Sequence, residues 1–197
     1  MYTVKENIEK TIIINKSKFI SKAYFVTDIS EANYILNEIK NEYNDATHVC
    51  FGYIINNNIK YSDDGEPNNT AGLPLYNAIS KNNLNCVLVV VIRYFGGIKL
   101  GAGGLTRAYS NSALEVINNN ITELISGYSV KIAFDYNSIK NVEYILKDVN
   151  IISKDYNDTI TFIVEIPVDK LDIIKEKLSN YIKSLLVIDK TYIRKLF

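Results

Sequence analysis

The sequence predicts an α+β protein of two domains, and three observations lead there. After Ser126-Gly127 the apolar pattern runs strand, helix, strand, strand, helix, strand, the split βαββαβ order of a ferredoxin-like fold. Before it, segments of helical period alternate with β-branched segments, centred on Val87–Ile92, a continuous apolar run suited to a strand buried on both faces. Length permits both halves: 197 residues at 47% hydrophobic content supply two modest cores without staples. The division is drawn at residues 1–126 and 127–197, with Gly127 as the linker and one mixed sheet in each domain.

The elements follow in order. Phe19 to Val26 reads as a strand, and Asp28 to Glu42 as a helix opened by Asp28 or Ser30, with Ala32, Ile35, Leu36 and Ile39 on one side. Ala46 to Ile55 returns to strand, its alternation setting Val49, Phe51, Tyr53 and Ile55 against His48, Cys50, Gly52 and Ile54. Asn56-Asn57-Asn58 marks a turn into a short partner strand, Ile59 to Ser62. A three-residue loop pairs Ile55 with Ile59 and, extended back, sets His48 opposite Glu66. Pro74 to Lys81 is a short helix with Pro in its first turn. Val87 to Ile92 is the buried strand, and Leu105 to Ile117 has helical spacing through Ala108, Ser112, Ala113 and Val116. In the second half the strands are Tyr128–Tyr136, Ile151–Tyr156, Thr159–Ile166 and Leu186–Ile193, and the helices Ser138–Val149 and Asp169–Tyr181.

Composition narrows the function. Lysine plus arginine balance aspartate plus glutamate at 22 each, and each half is close to neutral, so only a local basic patch can supply phosphate contacts. Cys50 and Cys86 sit in apolar runs and read as small buried hydrophobes of a reducing compartment. The longest uninterrupted apolar run falls far short of the roughly 20 residues of a membrane span. The charged start Met1 to Lys10 lacks a signal-peptide core, so a soluble cytoplasmic protein is expected.

Two constellations carry chemistry. "RYFGGIKLGAGGLTR", Arg93 to Arg107, holds five of the nine glycines and three cations, Arg93, Lys99 and Arg107, between a buried strand and a helix. Glycines let backbone N–H groups converge on an anion at a helix start. A P-loop is excluded, because Gly101 is followed by Ala102-Gly103 and not by Lys-Ser or Lys-Thr. A dinucleotide fingerprint fails where Thr106 stands for its last glycine. Two readings remain: a turn in which Thr106 or a neighbour caps the helix, and an anion- or nucleic-acid-binding loop.

The second constellation, "SDDGEP", places Asp63, Asp64 and Glu66 within four residues, with the single histidine, His48, brought near by the hairpin. Hard oxygens of this kind suit Mg²⁺ or Ca²⁺, Glu66 with His48 suits acid/base work, and the cluster could bind a partner. A tight polar turn, with Asp63 and Asp64 on backbone N–H groups and Gly65 at positive φ, explains it without a ligand. A further reading needs no ligand: acidic turn and basic loop face each other and pair their charges.

"DDGEPNNTAGLP", Asp63 to Pro74, and "VIRYFGGIKLGAGGLTRAYSNSA", Val91 to Ala113, together with "HVC", His48 to Cys50, resemble the YigZ/IMPACT family. The resemblance implies an N-terminal domain of the ribosomal-protein domain-2-like α/β sandwich and a C-terminal ferredoxin-like domain similar to one in translocating elongation factors. It implies a role beside translation, since eukaryotic members regulate it by binding a large activator of the amino-acid-starvation kinase, and it implies nucleic-acid binding for bacterial members. Carried over residue by residue, it marks Arg93, Tyr94, Gly96, Gly97, Lys99, Gly101, Gly103, Arg107 and Tyr109 for anion or nucleic-acid binding. It also marks His48, Asp63, Asp64, Glu66 and Thr70 as a polar cluster. Leu73 stands where the family often has a basic residue, and Asn68-Asn69 replace a small Ser-Gly type pair.

The leading expectation is a non-enzymatic, translation-linked binding protein that contacts RNA, the ribosome or a translation-associated protein through the cationic loop, with Tyr94 or Tyr109 stacking on a base. The alternative is a metal-assisted enzyme, with Mg²⁺ as the metal, acting on a small phosphorylated or acylated substrate through His48, Asp63, Asp64 and Glu66.

Overall fold

The structure, a computed structural model, describes residues 1–195. The chain divides into two compact units, Met1–Glu123 and Leu124–Phe197, the second described to Lys195.

The first unit has strands β1 (Tyr2–Val4), β2 (Ile8–Ile14), β3 (Ser17–Phe25), β4 (His48–Ile55), β5 (Asn58–Ser62) and β6 (Val87–Tyr94). Its helices are α1 (Ile29–Glu42), α2 (Gly72–Lys81) and α3 (Gly101–Ile117). The main sheet runs β2-β3-β6-β4-β5, every pair antiparallel. The expected mixed sheet is therefore corrected: hairpins and antiparallel returns order all five strands. β6 lies at the centre and is buried from Val87 to Ile92, because helices cover both faces. Period two splits its side chains: Leu88, Val90 and Ile92 meet Leu36 and Ile39 of α1, while Val87, Val89 and Val91 meet Leu75 of α2 and Ala113 of α3. The alternation read in β4 holds, with Val49, Phe51, Tyr53 and Ile55 on the α1 face and Cys50 on the other.

Local chemistry sets the ends of these elements. Asp28 caps α1, its carboxylate accepting from Glu31 N at 2.9 Å, and Glu31 reaches back to Thr27 N. The β4–β5 hairpin pairs Ile54 with Ile59 and Ile55 with Asn58, so its loop is Asn56-Asn57, one residue shorter than expected, with Asn56 at φ 56°. The expected register slips by one, and the ladder ends at Phe51 and Ser62. Helix α3 begins at Gly101, four residues before the expected Leu105, so Gly101, Gly103 and Gly104 lie in its first turn and Thr106 is no cap: its hydroxyl donates back to Ala102 O. Strands β1 and β2 stand in a stretch where no strand is expected from the pattern. β1 pairs with Ile121–Glu123, and β2 is a sheet edge with mostly exposed, alternating side chains.

The second unit comprises the rest of β7 (Ile121–Phe134), α4 (Ile139–Ile145), β8 (Asn150–Tyr156), β9 (Ile160–Pro167), α5 (Leu171–Leu178) and β10 (Ser184–Arg194). Strand order is β10-β7-β9-β8, all antiparallel, which is the ferredoxin-like topology. Val142, Leu146, Ile174 and Leu178 pack from the helices on Val130, Ile132, Phe162 and Val164 of the sheet. Gly127 is not a linker. It lies inside β7 opposite Pro167 and Thr191, where a Cβ would stand 2.6 Å from Ile193 Cδ1.

The entry to α2 depends on another glycine. A Cβ on Gly72 would lie 2.6 Å from Ser62 N and 2.7 Å from its carbonyl atoms, backbone that is held in β5. Gly72→Ala is expected to destabilise the first unit by about 1–3 kcal/mol. Denaturant-dependent hydrogen exchange of the β4 and β6 backbone amides, which reports on the first unit, checks this, and unchanged protection contradicts it.

Candidate functional site

The alternation of β6 decides where its last charge goes. Arg93 continues the face of Val89 and Val91, so its guanidinium turns inward between sheet and α3 and is only 4% exposed. A buried cation requires a buried counter-charge. Glu66 supplies it: Arg93 Nη1 donates to Glu66 Oε1 at 2.6 Å, with Glu66 7% exposed. Arg93 Nη2 donates to Ser17 Oγ at 3.3 Å, and the guanidinium carbon lies 5.4 Å from the ring centres of Phe19 and Phe95. Glu66 Oε1 also accepts from the Tyr109 hydroxyl at 2.8 Å. The Cys50 sulfur continues the chain, 3.4 Å from Tyr109 Oη and 3.0 Å from the Asp63 carbonyl.

His48 and Glu66 do meet, although not through the expected ladder register. After Ser62 the chain curls through Asp64 (φ 42°) and Gly65 (φ 86°) and returns Glu66 beneath the ring. His48 Nδ1 lies 2.8 Å from the Asp64 carbonyl, which can only accept, so this nitrogen carries the hydrogen. Nε2 then faces Glu66 Oε2 at 3.8 Å, too far for a hydrogen bond.

The other acidic residues hold backbone. Asp63 Oδ1 accepts from Ala71 N and Gly72 N at 3.0 and 2.8 Å, and Oδ2 accepts from Asn69 N, which caps the start of α2 from a distance in sequence. Asp64 Oδ2 accepts from Val49 N at 2.7 Å, and Lys40 Nζ stands 3.7 Å from Oδ1. Thr70 is buried and donates to the Pro67 carbonyl. The carboxylates thus diverge, and among the described residues no three acidic, His or Cys side chains are grouped to hold a metal ion. These residues do not fit Mg²⁺.

The cationic loop separates in the same way. Gly96 presses on the turn between β2 and β3, where a Cβ would overlap Lys16 backbone, and its N–H donates to Ser17 Oγ. Gly97 and Gly101 take positive φ in open space. Lys99 and Arg107 are exposed and form no ion pair among the described residues. Of the two expected stacking tyrosines, Tyr109 is fully buried, and Tyr94, half-buried, lies on the α1 face, where its hydroxyl donates to Asp45. The exposed ring at the loop is Phe95, 45% accessible, with Ile98 beside it. Sequence reading passes over Phe95, although counting alternation from Val91 places Tyr94 and Arg93 on opposite faces.

A cavity of about 390 Å³ joins the two constellations. Its polar walls are His48, Glu66, Arg93 and Lys99 with the backbone of Gly101 and Ala102, and Phe95, Leu100 and Leu105 supply apolar surface. The start of α3 has no side-chain cap, so its first backbone N–H groups and the positive end of a 17-residue helix border this space.

Fold and site define a two-unit α+β protein organised around a buried ionic cluster under a glycine-rich helix start. Residues 15–117 match the family model of the Impact N-terminal domain, and the chain belongs to the IMPACT family. It is 38% identical over 167 residues to the IMPACT family member YvyE of Bacillus subtilis (strain 168), covering 82% of this chain and 77% of the relative. It is 29% identical over 178 residues to the IMPACT family member YigZ of Escherichia coli (strain K12), covering 85% and 86%. A crystal structure of a hypothetical protein, 25% identical, covers 95% of this chain and 97% of its own, with a TM-score of 0.61.

Burial also sets the reactivity of the thiols. It pushes Cys50 up from 9.0 to about 12, against the opposing hydrogen bond of Tyr109, and Cys86 up from 9.0 to about 11. Above pH 9 the unfolded chain loses these protons while the folded chain keeps them, so stability falls as pH rises through that window. Cys50→Ala is expected to flatten this decline between pH 9 and about 12, measured by denaturant melts across pH. A slope equal to that of the parent contradicts the assignment.

Proposed function

We propose that this protein is a translation-linked regulatory binding protein whose first unit contacts RNA on the ribosome through the outer rim of α3. The observation that carries the reading is the separation of charges around one loop. Arg93 is paired internally, while Lys99 and Arg107 stay exposed and without an ion pair among the described residues, in a chain of zero net charge. Gly97 and Gly101, with open space about their Cα atoms, let a phosphate approach backbone N–H groups. Phe95 offers the most exposed ring at the loop for base stacking, half-buried Tyr94 lies beside it in sequence, and Tyr109 is buried. Membership of the IMPACT family supports the link to translation.

Ribosome or single-stranded RNA association, measured across a salt series, checks this. Lys99→Ala with Arg107→Ala is expected to weaken binding and to reduce the slope of log K against log salt by about 0.7 for each phosphate no longer neutralised. Phe95→Ala is expected to cost about 1–3 kcal/mol without changing that slope. Absence of association at low salt, or association that neither change affects, overturns the reading; a partner protein captured with an unchanged slope replaces RNA by a protein surface.

A further inference from the structure

Beyond the macromolecular contact, we infer that the cavity between β4, β6 and α3 is a binding site for a small hydroxylated organic phosphate of sugar-phosphate size. It runs from exposed Lys99, Gly101 and Ala102 inward to buried Glu66 and Arg93, and its volume of about 390 Å³ lies within the range of small-molecule pockets.

The floor specifies one half of the ligand. His48 is held by its Nδ1–H on the Asp64 carbonyl, which leaves Nε2 turned toward Glu66. Glu66 Oε1 is saturated by Arg93 and Tyr109, while Oε2 accepts no hydrogen bond among the described residues. Glu66 Oε2, on a side chain only 3% exposed, therefore keeps open lone pairs 3.8 Å from His48 Nε2, too far for a hydrogen bond between them. A guest hydroxyl can donate to Oε2, and a second, neighbouring hydroxyl reaches Nε2 at that spacing. Arg93 offsets the Glu66 charge, and its Nε is itself buried without a partner among the described residues, so the floor is polar but near neutral. An amine cation is thereby disfavoured relative to hydroxyls.

The mouth specifies the other half. Lys99 adds an exposed positive charge, and the uncapped start of α3 borders the cavity at Gly101 and Ala102, adding backbone N–H donors with little side-chain bulk over them. Several donors around one point suit a tetrahedral oxyanion. Apolar Leu100, Leu105 and Phe95 lie between the two ends and suit the carbon face of a short polyol or sugar.

The test uses the full chain, with ribose 5-phosphate, inorganic phosphate and ribose as separate probes, and follows backbone amides of Gly101–Gly104 together with the His48 ring by NMR. Ribose 5-phosphate is expected to move both groups saturably, and to bind at least about tenfold more tightly than inorganic phosphate or ribose alone. Lys99→Ala is expected to weaken it about three- to tenfold. Ala102→Leu, at an exposed position that needs no core change, is expected to abolish binding by filling the mouth. Shifts that do not saturate, inorganic phosphate binding as tightly as the sugar phosphate, or an unchanged affinity in Ala102→Leu would overturn the site. RNA association that persists while ribose 5-phosphate fails to bind overturns the cavity alone and leaves the outer rim intact.

Discussion

The ion pair between Glu66 and Arg93 joins two parts of the chain that are otherwise far apart: the acidic turn that follows β5 and the last residue but one of the central strand. Its constraint is desolvation. Removing either charge from water costs several kcal/mol, and the mutual attraction offsets this only when the remaining lone pairs and N–H groups find partners. Tyr109 and Ser17 supply two of those partners, while Arg93 Nε and Glu66 Oε2 have no hydrogen-bond partner among the described residues, and the pair draws α3 and β3 into one geometry with β6. His48, the turn through Asp64 and Gly65, and the start of α3 all take their positions around it. Asp63 and Asp64 extend the same logic outward, directing their charges at backbone N–H groups so that the turn has one shape.

This arrangement divides the cations of one short segment between two tasks. Arg93 organises the interior, and Lys99 and Arg107 face solvent. A loop with the look of a single anion cradle is therefore an outer rim and an inner pocket that share one helix start. The glycines serve both: Gly96 allows close packing on the turn before β3, whereas Gly97 and Gly101 leave the backbone uncovered. The macromolecular reading uses the rim, and the small-molecule reading uses the pocket.

Much of the fold is legible in the sequence because the pattern is strong where burial is strong. The β-branched run of β6 and the alternation in β4 follow from two faces covered by helices, and the second half follows from six elements in a recognisable order. The edges are harder. β2 is a sheet edge whose isoleucines are only partly covered and are interrupted by exposed Glu9, Lys10 and Thr11, so the burial that makes a strand legible is weak there. The first turn of α3 is hidden because glycine is a poor helix former, and packing by Leu105, Ala108 and Tyr109 overrides that propensity. The meeting of His48 with Glu66 is expected from a hairpin register that is off by one; the turn after Ser62, and not the ladder, brings them together. The reading in which acidic turn and basic loop pair their charges is right for Arg93 and not for Lys99 or Arg107. Composition and spacing could not divide them, because the division depends on which face of β6 the last cation occupies.

If Arg93 is the internal counter-charge of Glu66, the two residues must be energetically coupled. A double-mutant cycle with Glu66→Gln, Arg93→Met and the combined variant, followed by denaturant unfolding, measures that coupling. Each single change is expected to cost about 3–5 kcal/mol, because it leaves a buried charge unpaired. The pair is expected to show a coupling of about 1–3 kcal/mol, the double variant recovering part of the loss. Additive effects within about 0.5 kcal/mol would show that the two charges are not each other's partner.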